Sequence, residues 1–160
     1  DLTKGLDGND DIRGSTGYDC LYGGTGRDDI FGGFDNDNIY GGSGVDELSG
    51  FQGDDLIRAG RGDDVVCDYD RLDLNCYGSP FANYRPNMSD VDRVFGGPGD
   101  DQLSAGPGKD RISGGTGNDF FNSLDVEVDR IDCGPGRDVA YIDNRDETKN
   151  CEKVIKRQSR

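Results

Sequence analysis

The sequence predicts an all-β solenoid, a stack of short strands joined by tight turns. Three observations predict it. First, from Gly5 to Cys67 one nonapeptide is written seven times: GLDGNDDIR, GSTGYDCLY, GGTGRDDIF, GGFDNDNIY, GGSGVDELS, GFQGDDLIR and AGRGDDVVC. Second, two positions of the repeat barely vary. The sixth is always aspartate (Asp10, Asp19, Asp28, Asp37, Asp46, Asp55, Asp64), and the eighth is always aliphatic (Ile12, Leu21, Ile30, Ile39, Leu48, Ile57, Val66). A fixed period of this length marks a repeat architecture. Third, the 160 residues include 27 glycines, and 29 of the 33 acidic residues are aspartate, the residue types that build tight turns.

Each repeat divides in two. The first six residues hold the glycines and the aspartate and read as a turn. The last three, such as Asp29, Ile30 and Phe31, read as a minimal strand whose middle residue faces opposite to its neighbours. One inward aliphatic per nine residues is too thin a core for an isolated unit, so the strands must stack to bury it. Two copies then make one coil of 18 residues, with strands of alternate copies stacked in parallel as two facing sheets. The turns stack as two edges: Asp10, Asp28, Asp46 and Asp64 on one, Asp19, Asp37 and Asp55 on the other.

The repeats GGTGRDDIF and GGSGVDELS resemble the glycine- and aspartate-rich nonapeptide of the RTX calcium-binding proteins. The resemblance covers roughly two thirds of the chain. It implies a right-handed parallel β-roll with Ca²⁺ held in the turns. The sixth-position aspartates would give carboxylates: the seven above, then Asp92, Asp101, Asp110, Asp119, Asp129 and Asp138. Backbone carbonyls of glycine-rich positions would add oxygens: Gly24, Gly26, Gly42, Gly44, Gly60 and Gly62, then Gly97, Gly99, Gly106, Gly108, Gly115 and Gly117. Asn9, Asn36, Asp54 and Asp63 stand where further oxygens would be useful. Leu6, Ser15 and Phe51 replace the second-position glycine, and Asp35 departs from the pattern in GGFDNDNIY. A non-glycine residue held at positive φ there would be strained.

From 68 to 90 the repeat stops. DYDRLDLNCYGSPFANYRPNMSD contains two prolines and the aromatics Tyr69, Tyr77, Phe81 and Tyr84. It reads as an insertion packed on the roll, its ends closed by a Cys67–Cys76 disulfide. A glycan- or protein-binding loop is the alternative. The spacing from Asp64 to Asp92 exceeds three repeats by one residue, which reads as a slip of phase. The repeat resumes as NMSDVDRVF, GGPGDDQLS, AGPGKDRIS and GGTGNDFFN. A ten-residue copy, SLDVEVDRID, and CGPGRDVAY follow, with small Ala140 inward. The tail from 142 to 160 reads as a non-repetitive cap stapled by Cys133–Cys151, leaving Cys20 as the spare thiol. Residues 1–160 thus form one domain: repeats at 5–67, an insertion at 68–90, repeats at 91–141 and a cap at 142–160.

Charge and core size point to the same partner. The formal net charge is -15, and Leu, Ile, Val and Phe make up 33 of the 160 residues. That balance borders on disorder unless something neutralises the carboxylates. Oxygen-only sites select hard cations, and flexible sites with many ligands suit Ca²⁺. Pairing aspartates one coil apart gives Asp10–Asp28, Asp28–Asp46, Asp46–Asp64, Asp19–Asp37 and Asp37–Asp55. It continues with Asp92–Asp110, Asp101–Asp119, Asp110–Asp129 and Asp119–Asp138. Roughly five to nine ions are expected by that oxygen-cage count.

Other functions find no support. There is no histidine for a catalytic triad, no lysine-serine or lysine-threonine pair after a glycine loop, and the acidity opposes nucleic acid. The EF-hand spacing fails at Ile39. The outward columns are too mixed for the threonine row of an ice-binding face. No apolar run is long enough to span a membrane. Disulfides and calcium together predict a secreted, non-catalytic module.

Overall fold

The computed structural model describes residues 1–67, 91–125 and 127–157. The described residues form sixteen strands and no helix. One sheet stacks β1 (Leu2–Asp7), β3 (Cys20–Thr25), β5 (Asn38–Ser43), β7 (Leu56–Arg61), β9 (Arg93–Pro98), β11 (Arg111–Thr116), β13 (Arg130–Asp132) and β15 (Glu147–Lys149) in that order. The facing sheet stacks β2 (Asp11–Thr16), β4 (Asp29–Phe34), β6 (Glu47–Gln52), β8 (Val65–Cys67), β10 (Gln102–Ser104), β12 (Phe120–Ser123), β14 (Val139–Ile142) and β16 (Lys153–Lys156). Every pairing is parallel, and odd strands pair only with odd, even only with even. This is the expected β-roll, two repeats to a coil.

The strands are longer than the three residues expected. Most span six, from the seventh position of one copy to the third of the next, as in Asp29–Phe34. The glycine pair therefore belongs to the ladder, not to the turn. Ile30 and Gly32 both face inward and are buried. Only the fourth to sixth positions are left to reverse the chain, and the fourth takes positive φ, as at Gly44 (φ 139°).

The inward eighth positions form two facing columns: Leu21, Ile39, Ile57, Val94, Ile112 and Ile131 in one sheet, Ile12, Ile30, Leu48, Val66, Leu103, Phe121 and Ala140 in the other. Phe121 sits in register with Ala140, so the largest inward ring is accommodated beside the smallest residue. Each aliphatic side chain so buried contributes roughly 1.5–3 kcal/mol.

The phase slip expected across 68–90 does not exist in the roll. Leu56 is in register with Arg93 and Val65 with Gln102, so β9 and β10 continue both sheets directly. Twenty-eight residues from Asp64 to Asp92 amount to one repeat plus an insertion, so three repeats is the wrong comparison. Cys67 is disulfide-bonded. Its expected partner Cys76, and the aromatic loop itself, lie outside the described residues. Cys133–Cys151 is bridged as expected, and Cys20 is a free, half-buried thiol. The tail is more regular than a non-repetitive cap, because β15 and β16 add a further strand to each sheet.

Outward rows pack locally. The rings of Tyr22 and Tyr40 stack at 4.6 Å with a 4° interplanar angle, so their faces cover one another. Lys4 lies over Tyr22, and Arg58 lies over both Tyr40 and Phe95. The Tyr22–Tyr40 pair is cross-strand packing of the kind that stabilises sheets.

Candidate metal centre

The sixth-position aspartates build two continuous ladders. On the first edge the backbone N–H of Asp10 donates to Oδ1 of Asp28 at 2.9 Å, and the same bond repeats from Asp28 to Asp46, Asp46 to Asp64, Asp64 to Asp101, Asp101 to Asp119 and Asp119 to Asp138. On the second edge it runs from Asp19 to Asp37, Asp37 to Asp55, Asp55 to Asp92, Asp92 to Asp110, Asp110 to Asp129 and Asp129 to Asp146, at 2.7–3.1 Å. All nine expected pairs stack. Asp55–Asp92 and Asp64–Asp101 carry the ladders across the insertion.

The ladders extend past the last predicted aspartate. Asp146 takes the next position on the second edge, and Glu152 Oε2 accepts the N–H of Asp138 at 2.8 Å on the first. Neither residue stands out in the sequence, because their spacings are 17 and 14 instead of 18. Their signal is weaker: an acid just before a strand-like triplet, EKVIK or DETK.

Beyond the first aspartate of each row, one oxygen of each carboxylate is thus used. The other is buried and accepts no hydrogen bond: Oδ2 of Asp10, Asp19, Asp28, Asp37, Asp46, Asp64, Asp101, Asp110, Asp119 and Asp138. Nearly all these side chains are no more than 3% exposed. Such an oxygen, aligned with its copies every coil and without a donor, is a heavy cost. Burying one unpaired carboxylate costs several kcal/mol. A row of them outweighs the thin aliphatic core.

Metal-free, the most deeply buried of these carboxyls hold their protons more tightly. Burial pushes Asp110 up to about 9 and Asp101 to about 7, with neighbouring aspartates adding to the rise. Burial likewise raises Asp37, Asp64, Asp119 and Asp129 to about 6. The backbone N–H bond from the preceding coil works against the rise in each case without cancelling it.

Backbone carbonyls line the same edges. A Cβ placed on Gly42 or Gly60 would overlap the carbonyl oxygen of Gly24 or Gly42 in the coil before it, and Gly44 and Gly62 stand in the same relation to Gly26 and Gly44. A Cβ on Gly23 would overlap Asp28 Oδ2. Carbonyl and carboxylate oxygens therefore crowd into space that glycine leaves open at most of these positions. Of the predicted glycines, Gly24, Gly26, Gly42, Gly44, Gly60, Gly62, Gly97, Gly99, Gly115 and Gly117 all lie along the first edge. Gly106 and Gly108 lie on the second, which also carries Ser15, Asp35 and Phe51. These three, with Leu6 on the first edge, adopt positive φ, at 86°, 73°, 86° and 120° respectively. The fifth-position oxygens also tie neighbouring turns: Asn9 and Asn36 Oδ1 accept the N–H of Arg27 and Asp54, and Asp54 and Asp63 Oδ1 accept those of Val91 and Asp100.

A donor set of anionic and carbonyl oxygens, without nitrogen or sulfur, fits a hard divalent cation with six to eight ligands. The ion would be held by sixth-position carboxylates and glycine carbonyls of stacked turns. Its charge would replace the protons the carboxyls otherwise retain. Fold and site together define a metal-binding β-solenoid. The family profile for the RTX calcium-binding nonapeptide repeat (4 copies) matches residues 4–39, 31–66 and 88–121, more than half of the chain. The chain belongs to that calcium-binding family. No curated protein and no solved structure matches it.

Proposed function

We propose that the chain is a secreted, non-catalytic module that folds when it meets extracellular calcium. The buried, donor-free Oδ2 row carries this reading, because a bound cation relieves it without the carboxyls having to keep their protons. Binding free energy then becomes folding free energy. One ion at a hundredfold over its Kd adds about 2.7 kcal/mol, and several ions add cooperatively. About seven or eight divalent ions would cancel the net charge of -15, within the five to nine that oxygen counting suggests. The Cys133–Cys151 disulfide favours an oxidising compartment. The test is far-UV circular dichroism of the full chain. Chelation is expected to remove the β signal and calcium to restore it over a narrow concentration range. A spectrum indifferent to chelator would refute the reading.

A scaffold role is the second reading. Both sheets and both ladders run on from one side of 68–90 to the other without a break in register, which supports reading that segment as a ligand-binding insertion. A glycan or protein ligand for the segment would be lost on its deletion while calcium binding persisted.

A further inference from the structure

The turn of the ten-residue copy differs in how the inner oxygen of its aspartate is met. At most turns the first position is glycine, where a Cβ would run into the inner oxygen of the aspartate five residues on. Here the position is Ser123, and its hydroxyl donates to Asp129 Oδ2. The oxygen left free elsewhere is thereby engaged. The copy also has no glycine among residues 123–132, so it lacks the close carbonyl approach of the regular turns.

A third carboxylate enters in compensation. One oxygen from each of Asp110, Asp125 and Asp129 lies within 4.8 Å of the others. Asp110 is 1% exposed and its Oδ2 has no donor. Asp125 is held in place by accepting the N–H of Glu127 on Oδ1 at 2.8 Å and that of Gly108 on Oδ2 at 3.4 Å. Neither bond supplies a compensating cation, and among the described residues no lysine or arginine pairs with any of the three. Asp35 offers a comparison, since it accepts the N–H of Gly17 on the same edge at 3.0 Å without joining such a cluster.

We propose that Asp110, Asp125 and Asp129 form a three-carboxylate Ca²⁺ site, distinct in kind from the two-carboxylate sites along the ladders, which binds most tightly and fills first. This rests on the calcium-binding reading above. Calcium affinity rises with the number of carboxylate ligands in the site, and here three carboxyl groups, not two, stand within reach of one ion. The neighbouring coils are already tied by Cys133–Cys151, so less ordering opposes the first ion there. Solenoids order outward from whichever coil forms first. The C-terminal coils therefore order before the N-terminal ones as calcium rises.

Two measurements on the full chain test this. In an NMR titration of the metal-free protein with CaCl₂, the amides of Gly108 and Glu127 are expected to shift within the first equivalent, ahead of Gly26 and Gly44. In a chelator-competition titration, one ion is expected to bind at least tenfold more tightly than the rest. Asp125→Asn keeps a hydrogen-bond acceptor but removes the charge, and is expected to lose that ion alone. Asp35→Asn is expected to keep it. Gly108 and Glu127 shifting with or after the other turns, or a tight ion retained in Asp125→Asn, would overturn the proposal. If Asp125→Asn lacks the wild-type β signal at saturating calcium, the wild-type NMR order decides. Calcium uptake of uniform affinity defeats this proposal alone, whereas no uptake at any concentration defeats the calcium-binding reading with it.

Discussion

The backbone N–H of Asp64 donates to Oδ1 of Asp101 at 2.9 Å, although 37 residues separate them. The same bond joins Asp46 to Asp64 across 18. Nineteen residues are therefore extra, and deleting 68–86 places NMSDVDRVF directly after Cys67 in phase. With Cys67→Ser to avoid a stray thiol, the shortened chain is expected to keep its calcium-dependent β spectrum. Circular dichroism against calcium checks this. A chain that no longer folds at saturating calcium would show that the insertion is structural.

Position along a ladder predicts unequal costs. Asp28 accepts from Asp10 and donates to Asp46, so it serves two stacked pairs, whereas Asp10 begins its row. At calcium a hundredfold over Kd, Asp28→Ala is expected to lose two ions and about 5 kcal/mol, and Asp10→Ala one ion and about 2.7 kcal/mol. Calorimetric ion counting with denaturant unfolding measures both. Equal losses would contradict the shared-site arrangement.

Glycines at equivalent positions separate crowding from conformation. Gly8 has φ 114° with nothing within 4 Å of an added Cβ, whereas Gly44 has φ 139° and its Cβ would overlap the carbonyl of Gly26. Gly8→Ala is expected to cost about 1–2 kcal/mol from backbone conformation alone. Gly44→Ala is expected to cost at least about 2 kcal/mol more and to weaken calcium binding, because the carbonyl must move. Urea unfolding at fixed calcium distinguishes them.

Protons and calcium compete for one row of oxygens. The carboxyls of Asp37, Asp64, Asp101 and Asp110 sit at about 6 to about 9 in the metal-free roll, above the ordinary 3.8. A carboxyl raised on folding takes up a proton as the chain folds, so the folded state is favoured as pH falls through that range. The metal-free chain is expected to gain β structure between about pH 8 and pH 4. With calcium the trend reverses, since bound ions require ionised ligands. Metal-free spectra that match at pH 4 and pH 8 would contradict this.

Much of this was legible because every repeat carries its own instructions. The aspartate at the sixth position and the aliphatic at the eighth are local signals, and Asp28 or Ile30 lands where its spacing says. Strand length was not legible, because a glycine pair such as Gly32 and Gly33 reads as a turn when it is in fact a Cβ-free stretch of ladder with Gly32 facing inward. Asp146 and Glu152 escaped because shortened coils shift them off the nine-residue grid. Asp125 escaped because counting by sixth positions leads to Asp129 and passes over the acid four residues before it.

The central claim is tested most directly by a crystal of the full chain grown in calcium and measured for anomalous scattering. Peaks are expected between stacked turns on both edges, beside the inner oxygens of Asp28, Asp37, Asp46 and Asp64. An ordered roll whose turns hold no anomalous peaks would contradict it.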